Sequence, residues 1–326
     1  MKLRLLTLLV LAIPLSAQTY TFSTLASNLN NPHGLILDTK DDLYGIMGSQ
    51  VFELPAISKK VSILHTWSSD TPTSIIRNTK TGVIYGTTMT TIFKLTSGKA
   101  GKYTYSLIYS NASADFAGAT LDTAGNLYGT DQACLSQEDP CIWEIPVGGE
   151  WEDIYNIDPS DVGEPYSLEG NLVTQSGDVY ASASFNGDGG YGWVQEVGGN
   201  FVVSGPPNGY PVSLRQDAIG DIYGLAQGFS EDGQYADIFK NSTILYQFLD
   251  DSQPAGNFSV DKSGNVFGTT FYTETQVFEF SQGQLIQLYA NPDLNMGLVM
   301  DAAGNLYGTT TSTIWKLTKG QSNGIR

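Results

Sequence analysis

Short runs of alternating apolar and polar residues recur along the whole chain, and each opens or closes on a turn rich in Asp, Thr, Gly and Asn. Seven segments line up: Asp38-Thr-Lys-Asp-Asp-Leu-Tyr-Gly45, then copies starting at Thr79, Asp122, Thr174, Asp217, Asp261 and Asp301. Their shared aromatic falls at Tyr44, Tyr85, Tyr128, Tyr180, Tyr223, Phe267 and Tyr307, at intervals of 41, 43, 52, 43, 44 and 40 residues. Repeats of this period are the mark of an array of like structural units. An apolar run leads into each turn (Gly34-Leu-Ile-Leu37, Gly297-Leu-Val-Met300), and six copies place Gly at the fourth turn position, as Gly82, Gly125, Gly177, Gly220, Gly264 and Gly304. Glycine there supplies positive φ, and Asp can bond back to the turn amides. A second strand follows as the Leu-Tyr-Gly-Thr-Thr run. A third alternates in the manner of half-buried strands, as in Val51-Phe-Glu-Leu54, Ile92-Phe-Lys-Leu95 and Ile314-Trp-Lys-Leu317. A fourth closes the unit, as in Tyr103 to Tyr109 and Ser242 to Phe248.

Four antiparallel strands per repeat predict an all-β fold, a seven-bladed β-propeller. The blades are expected at 32–67, 73–110, 117–156, 169–205, 211–249, 255–290 and 296–318. The last repeat ends after its third strand, while Tyr20-Thr-Phe-Ser-Thr-Leu25 near the start has no repeat of its own. Residues 18–26 are therefore expected to supply the fourth strand of the last blade, so that no edge is left open.

Ahead of that strand, Lys2 and Arg4, the apolar stretch Leu5 to Leu15 and the small pair Ser16-Ala17 form the pattern of a secretory signal peptide over residues 1–17. The mature chain, 18–326, is expected to be a single domain, secreted or periplasmic. No later segment reaches the roughly 20 apolar residues of a membrane-spanning helix. Loss of Lys2 and Arg4 with the leader takes the formal charge from −17 to −19. So acidic a surface repels phosphate backbones and anionic lipid heads, which argues against nucleic acid as a partner. The two cysteines, Cys134 and Cys141, stand close enough to clip one loop in an oxidising compartment, worth at most about 2–3 kcal/mol.

The Asp301-Ala-Ala-Gly-Asn-Leu-Tyr-Gly-Thr-Thr310 pattern, with Ile314-Trp-Lys-Leu-Thr318 behind it, resembles the tandem GloVer-type repeats of secreted bacterial proteins. Asn31-Pro-His-Gly-Leu-Ile-Leu-Asp38 is similar to the opening of an NHL repeat. The resemblance spans nearly the whole mature chain and implies blades, not chemistry. Blade four departs from it most, with Ala181 in place of Gly and Gln195 where the other third strands carry an aromatic.

Chemistry is sought where the repeats differ. In a propeller, the loops between second and third strands share one face with the loops that join blades, and this chain concentrates its insertions there in blades three to five. Function tends to sit on such decorated loops above a rigid scaffold. Tyr166, Phe185, Asp188, Tyr191, Tyr210, Tyr235 and Asp250 are the candidate ligand-binding residues of that sector. Carboxylates mixed with exposed rings suit an extracellular glycan or protein ligand. They also suit calcium, which takes six to eight oxygens, although Asn186-Gly-Asp-Gly-Gly190 lacks the spacing of a calcium-binding EF-hand loop. His33 stands at the start of a first strand, near the mouth of the central channel. Glu169, Tyr210, Asn257 and Asn295 hold the matching places in other blades. Of these, Glu169, Asn257 and Asn295 are candidate calcium ligands, since calcium-dependent lactonases hold their metal near such positions. His65, in an alternating strand, reads as structural, and the strand aromatics read as packing between blades.

No serine-hydrolase elbow, zinc-protease motif or phosphate-cradling loop occurs. The favoured reading is a secreted, non-catalytic binding propeller. Its rivals are a calcium-dependent lactonase- or lyase-like enzyme at the channel mouth, and a structural module of an envelope assembly.

Overall fold

A computed structural model describes residues 19–133, 140–156, 166–173, 179–185, 193–196, 201–204, 210–217, 219–230, 233–241, 243–248, 252–271 and 275–320. The described strands form seven four-stranded antiparallel sheets. Strand β1 (Tyr20–Ala26) comes first, and blade one then holds β2 (Pro32–Leu37), β3 (Leu43–Met47), β4 (Gln50–Leu54) and β5 (Ser62–Thr66). Blade two holds β6 (Pro72–Arg77), β7 (Ile84–Thr88), β8 (Thr91–Ser97) and β9 (Tyr103–Ser110). Blade three holds β10 (Phe116–Leu121), β11 (Leu127–Asp131), β12 (Cys141–Ile145) and β13 (Glu152–Asn156). Blade four holds β14 (Tyr166–Val173), β15 (Val179–Phe185), β16 (Trp193–Glu196) and β17 (Phe201–Ser204). Blade five holds β18 (Tyr210–Gln216), β19 (Ile222–Ser230), β20 (Gly233–Lys240) and β21 (Thr243–Phe248). Blade six holds β22 (Gln253–Val260), β23 (Val266–Phe271), β24 (Gln276–Ser281) and β25 (Gln284–Ala290). The last sheet contains β26 (Leu294–Met300), β27 (Leu306–Thr310) and β28 (Ile314–Lys319), with β1 hydrogen-bonded outside β28 in the order β1-β28-β27-β26. The pairing runs from Tyr20↔Lys319 to Ala26↔Ile314, and Tyr289 of blade six stacks on Phe22 across the seam at 4.5 Å.

The repeat has a packing cause. In six blades the Gly of the second strand lies opposite the aromatic of the third: Gly45↔Phe52, Gly86↔Phe93, Gly129↔Trp143, Gly224↔Phe239, Gly268↔Phe278 and Gly308↔Trp315. A Cβ on any of these glycines would stand 2.0–2.6 Å from the ring. Blade four has Ala181 opposite Gln195. Where the ring is missing, a methyl is tolerated, and Ala181 is fully buried. The departure that made this blade look irregular is thus one exchange felt on both strands.

Turn aspartates do what the pattern requires. Oδ1 of Asp38, Asp217, Asp261 and Asp301 accepts the amides two and four residues on, at 2.8–3.0 Å. Blade two needs a correction: Asn78, not Thr79, fills this role. Its amide donates to Val83 O (2.8 Å) and its Oδ1 accepts from Lys80 and Thr81 (3.0 Å each), around a turn one residue longer. Several first strands also start earlier than the blade limits expected above, at Tyr166, Gln253 and Leu294 for example, because each carries a bulge that adds residues at its outer end.

Cys141 is buried and disulfide-bonded; Cys134 and the signal segment lie outside the described residues. No helix among the described residues is long and apolar enough to cross a membrane.

Candidate channel-mouth site

First strands run from the blade-joining loops toward the Asp turns, so His33, Asn257 and Asn295 stand at the same end of the ring. Around this mouth the bulges are unequal. In blade two the register moves from Pro72↔Thr88 to Ser74↔Thr87, a single extra residue, and blades three and five behave alike. In blade six it moves from Ala255↔Thr269 to Ser259↔Phe267, and in blade seven from Leu294↔Thr310 to Leu298↔Gly308, two extra residues each. Gly256 and Gly297 make this possible at φ +70° and +95°. They also let two backbones touch: a Cβ on Gly256 would lie 2.6 Å from Gly297 N, and one on Gly297 2.8 Å from Asn257 N. Thr269 bridges them, its Oγ1 donating to Ala255 O (3.0 Å) and accepting from Gly297 N (2.8 Å).

The result is a cavity of about 450 Å³ between blades five, six, seven and one. His33, Ser213, Asn257, Asn295, Met296 and Leu298 are among its lining residues, and Asn257 and Met296 are exposed in it. Asn295 is also a strap: its Nδ2 lies within bonding distance of Pro32 O (2.8 Å), Thr310 O (3.0 Å) and Asn31 Oδ1 (3.3 Å), tying blade seven to blade one. His33 Nδ1 is 2.9 Å from Asn31 O. A carbonyl can only accept, so Nδ1 carries the proton and Nε2 is left as an acceptor in the neutral ring.

The candidates predicted from sequence divide into two sets. Asn257 and Asn295 come together with His33. Asp188, Tyr191 and Asp250 lie outside the described residues, as do the side chains of Tyr166, Phe185, Tyr210, Tyr235 and Glu169. The described lining residues present amides, an imidazole and two hydroxyls but no carboxylate. A calcium ion is held chiefly by carboxylate oxygens, so these residues do not fit one. Among the described residues no group of three or more His, Cys, Asp or Glu is placed to hold a metal. His65 is a packing residue: it stacks on Tyr105 at 4.4 Å and meets Trp67 edge-on at 4.5 Å, and burial lowers its pKa. Sequence reasoning missed Ser213, Met296 and the two bulges. The glycines in Ala255-Gly-Asn-Phe258 and Asn295-Met-Gly-Leu298 were the available signal.

Charge is sorted along the ring axis. All thirteen Lys and Arg among the described residues lie in the half that carries the Asp turns and the loops between third and fourth strands. Several are spent there: Arg77 pairs with Asp38 at 3.4 Å, Lys240 with Asp221 at 2.6 Å, and Lys80 donates to Thr123 O at 2.6 Å. The mouth half holds Asp70, Asp115, Asp131, Asp237 and Asp293.

No family profile matches the chain, and no curated protein does. Solved structures do. A streptogramin B lyase superimposes with a TM-score of 0.66 at 13% identity, covering 92% of this chain and 98% of that one. A chain of the mitotic checkpoint complex gives 0.63 at 11% identity, with 97% and 99% covered. A gluconolactonase from Xanthomonas campestris gives 0.51 at 14% identity, with 92% and 90% covered. The fold is a β-propeller. At these identities the likeness extends to the fold alone, which serves enzymes and an assembly subunit alike.

Proposed function

We propose that this protein is a secreted binding propeller that takes an uncharged, hydroxyl-rich ligand, such as the end of a glycan, at the channel mouth. The observation that carries this reading is the lining. Asn257 and Ser213 can donate to and accept from hydroxyls, His33 Nε2 and Asn295 Oδ1 can accept from them, and Met296 offers apolar surface to a sugar ring. A cavity of about 450 Å³ falls within the usual range of roughly 300–1,000 Å³ for small-ligand sites. The axial sorting of charge favours neutral or cationic ligands there over anionic ones.

One observation favours a second reading: His33, whose Nε2 can act as a base, lines the same cavity, and lyases and lactonases share the fold. Titration of a glycan-array hit by calorimetry, with and without chelator, followed by NMR of the recovered ligand, separates the two. Binding that survives chelator, returns the ligand intact and falls at least about tenfold in Asn257→Ala, a loss of roughly 1.4 kcal/mol, supports the binder. Conversion of the ligand, abolished by His33→Ala, supports the enzyme. Unchanged affinity in Asn257→Ala removes the cavity as the site.

A further inference from the structure

The repeats provide internal controls for every position. Two residues before the third-strand aromatic, the other described blades carry Gln50, Thr91, Cys141, Gln276 and Thr313. In blades two and seven this residue bonds across the hairpin, Thr91 Oγ1 to Thr88 Oγ1 at 2.7 Å and Thr313 Oγ1 to Thr310 Oγ1 at 2.8 Å. Blade five places Asp237 there, opposite Ala226. Both residues are fully buried, and neither carboxylate oxygen has a hydrogen-bond partner among the described residues. An ionised carboxylate left dry and unpaired is among the costliest states in a protein interior.

The place of this residue gives it leverage. Strands β4, β8, β12 and β24 begin at this level, whereas β20 begins four residues earlier. The pairs Gln227↔Ala236, Gly228↔Tyr235, Phe229↔Gln234 and Ser230↔Gly233 extend the blade-five hairpin beyond it, on the channel-mouth face. Asp237 is the root of that extension. Its neighbours Ala236 and Ile238 pack toward Phe258 and Phe278 of blade six, while Ala226 and Phe239 pack toward Tyr180 of blade four. Asp237 therefore faces the seam with blade four.

Among the described residues no counter-charge stands in that seam. On blade five, Arg215 Nε donates to Phe258 O, Lys240 lies over Tyr223 and pairs with Asp221, and Tyr223 and Tyr246 pack against blade six. Toward blade four the described titratable group is Tyr180. Strands β14 to β17 contain Glu169 and Glu196 but no Lys, Arg or His.

We propose that Asp237 is a proton-operated latch at the root of the blade-five hairpin: protonated, it stays in the blade-four seam and holds the hairpin down; ionised, it draws the hairpin root open to water. Burial alone pushes its pKa up to about 6. The closed form thus holds the proton more tightly than an open form titrating near 3.9. Closure is fully favoured below about pH 4, is lost progressively up to about pH 6, and stays weakened above. A gap of this size gives a rise in opening of about twenty- to thirtyfold between pH 4.5 and 7.5.

Hydrogen exchange followed by mass spectrometry on peptides from residues 222–240, corrected for the pH dependence of intrinsic exchange, reads this directly. The wild type is expected to show that rise and Asp237→Asn a change below about threefold, while the blade-two hairpin, residues 84–97, stays level in both. Asp237→Ala replaces the Asn variant if the latter does not fold. Wild-type protection that is independent of pH, or a neutral variant that keeps the wild-type dependence, overturns the latch.

Discussion

Replacing Gly308 by Ala isolates the contact on which the repeat rests. The new Cβ would stand 2.1 Å from Trp315 Cζ2 and 2.7 Å from Cε2 and Cη2. Carbon atoms rest at about 3.5–4.0 Å, so the indole must retreat by more than an ångström. It has nowhere to go, being fully buried among Leu294, Leu298, Leu306 and Leu317. Overpacking of this kind costs about 1–3 kcal/mol, against which the stiffer unfolded chain returns about 0.4–1 kcal/mol. A net loss of about 1–2 kcal/mol is expected in urea unfolding followed by circular dichroism. Trp315→Leu alone leaves a cavity and should cost about 2–4 kcal/mol. The double variant should be less destabilised than the sum by about 1–2 kcal/mol, because the methyl now enters space the indole has left. Blade four supplies the natural counterpart, where Ala181 and Gln195 already coexist. Additive losses, or a Gly308→Ala protein as stable as the wild type, would refute the steric account of the Tyr-Gly repeat.

Two further outcomes are expected. Removing residues 19–26 strips Tyr20 and Leu25 from the clusters around Trp315 and Ile314 and leaves β28 as an open edge; the truncated chain should melt well below the full-length one and sediment as aggregates, and an unchanged melting temperature would contradict closure by β1. We also propose that Cys141 is paired with Cys134, so denatured protein should show two thiols to Ellman's reagent only after reduction, with a loss of about 2–3 kcal/mol in the reduced form; two thiols without reductant would contradict the pairing.

The sequence carried the blades because one local rule, an Asp turn followed by Leu-Tyr-Gly, is imposed by packing in almost every copy. Thr79 misled because Asn78 and Thr79 are both turn formers, and only the hydrogen bonds tell which of them anchors the loop. His33, Asn257 and Asn295 could be found as outliers at one repeat position. The double bulges could not, since the close approach of Gly256 to Gly297 arises between blades and leaves no period in either strand. Asp237 was hidden for a similar reason: alternation points it inward, but nothing local reveals that an alanine stands across from it.

The confinement of every described lysine and arginine to one half of the ring gives the molecule an electric dipole along its own axis. Beside any negatively charged wall or bilayer such a body turns like a compass needle, its less acidic end inward, before it makes a single contact. The open mouth is then presented outward to passing ligand, and the preference fades once added salt shortens the Debye length below the protein's own width.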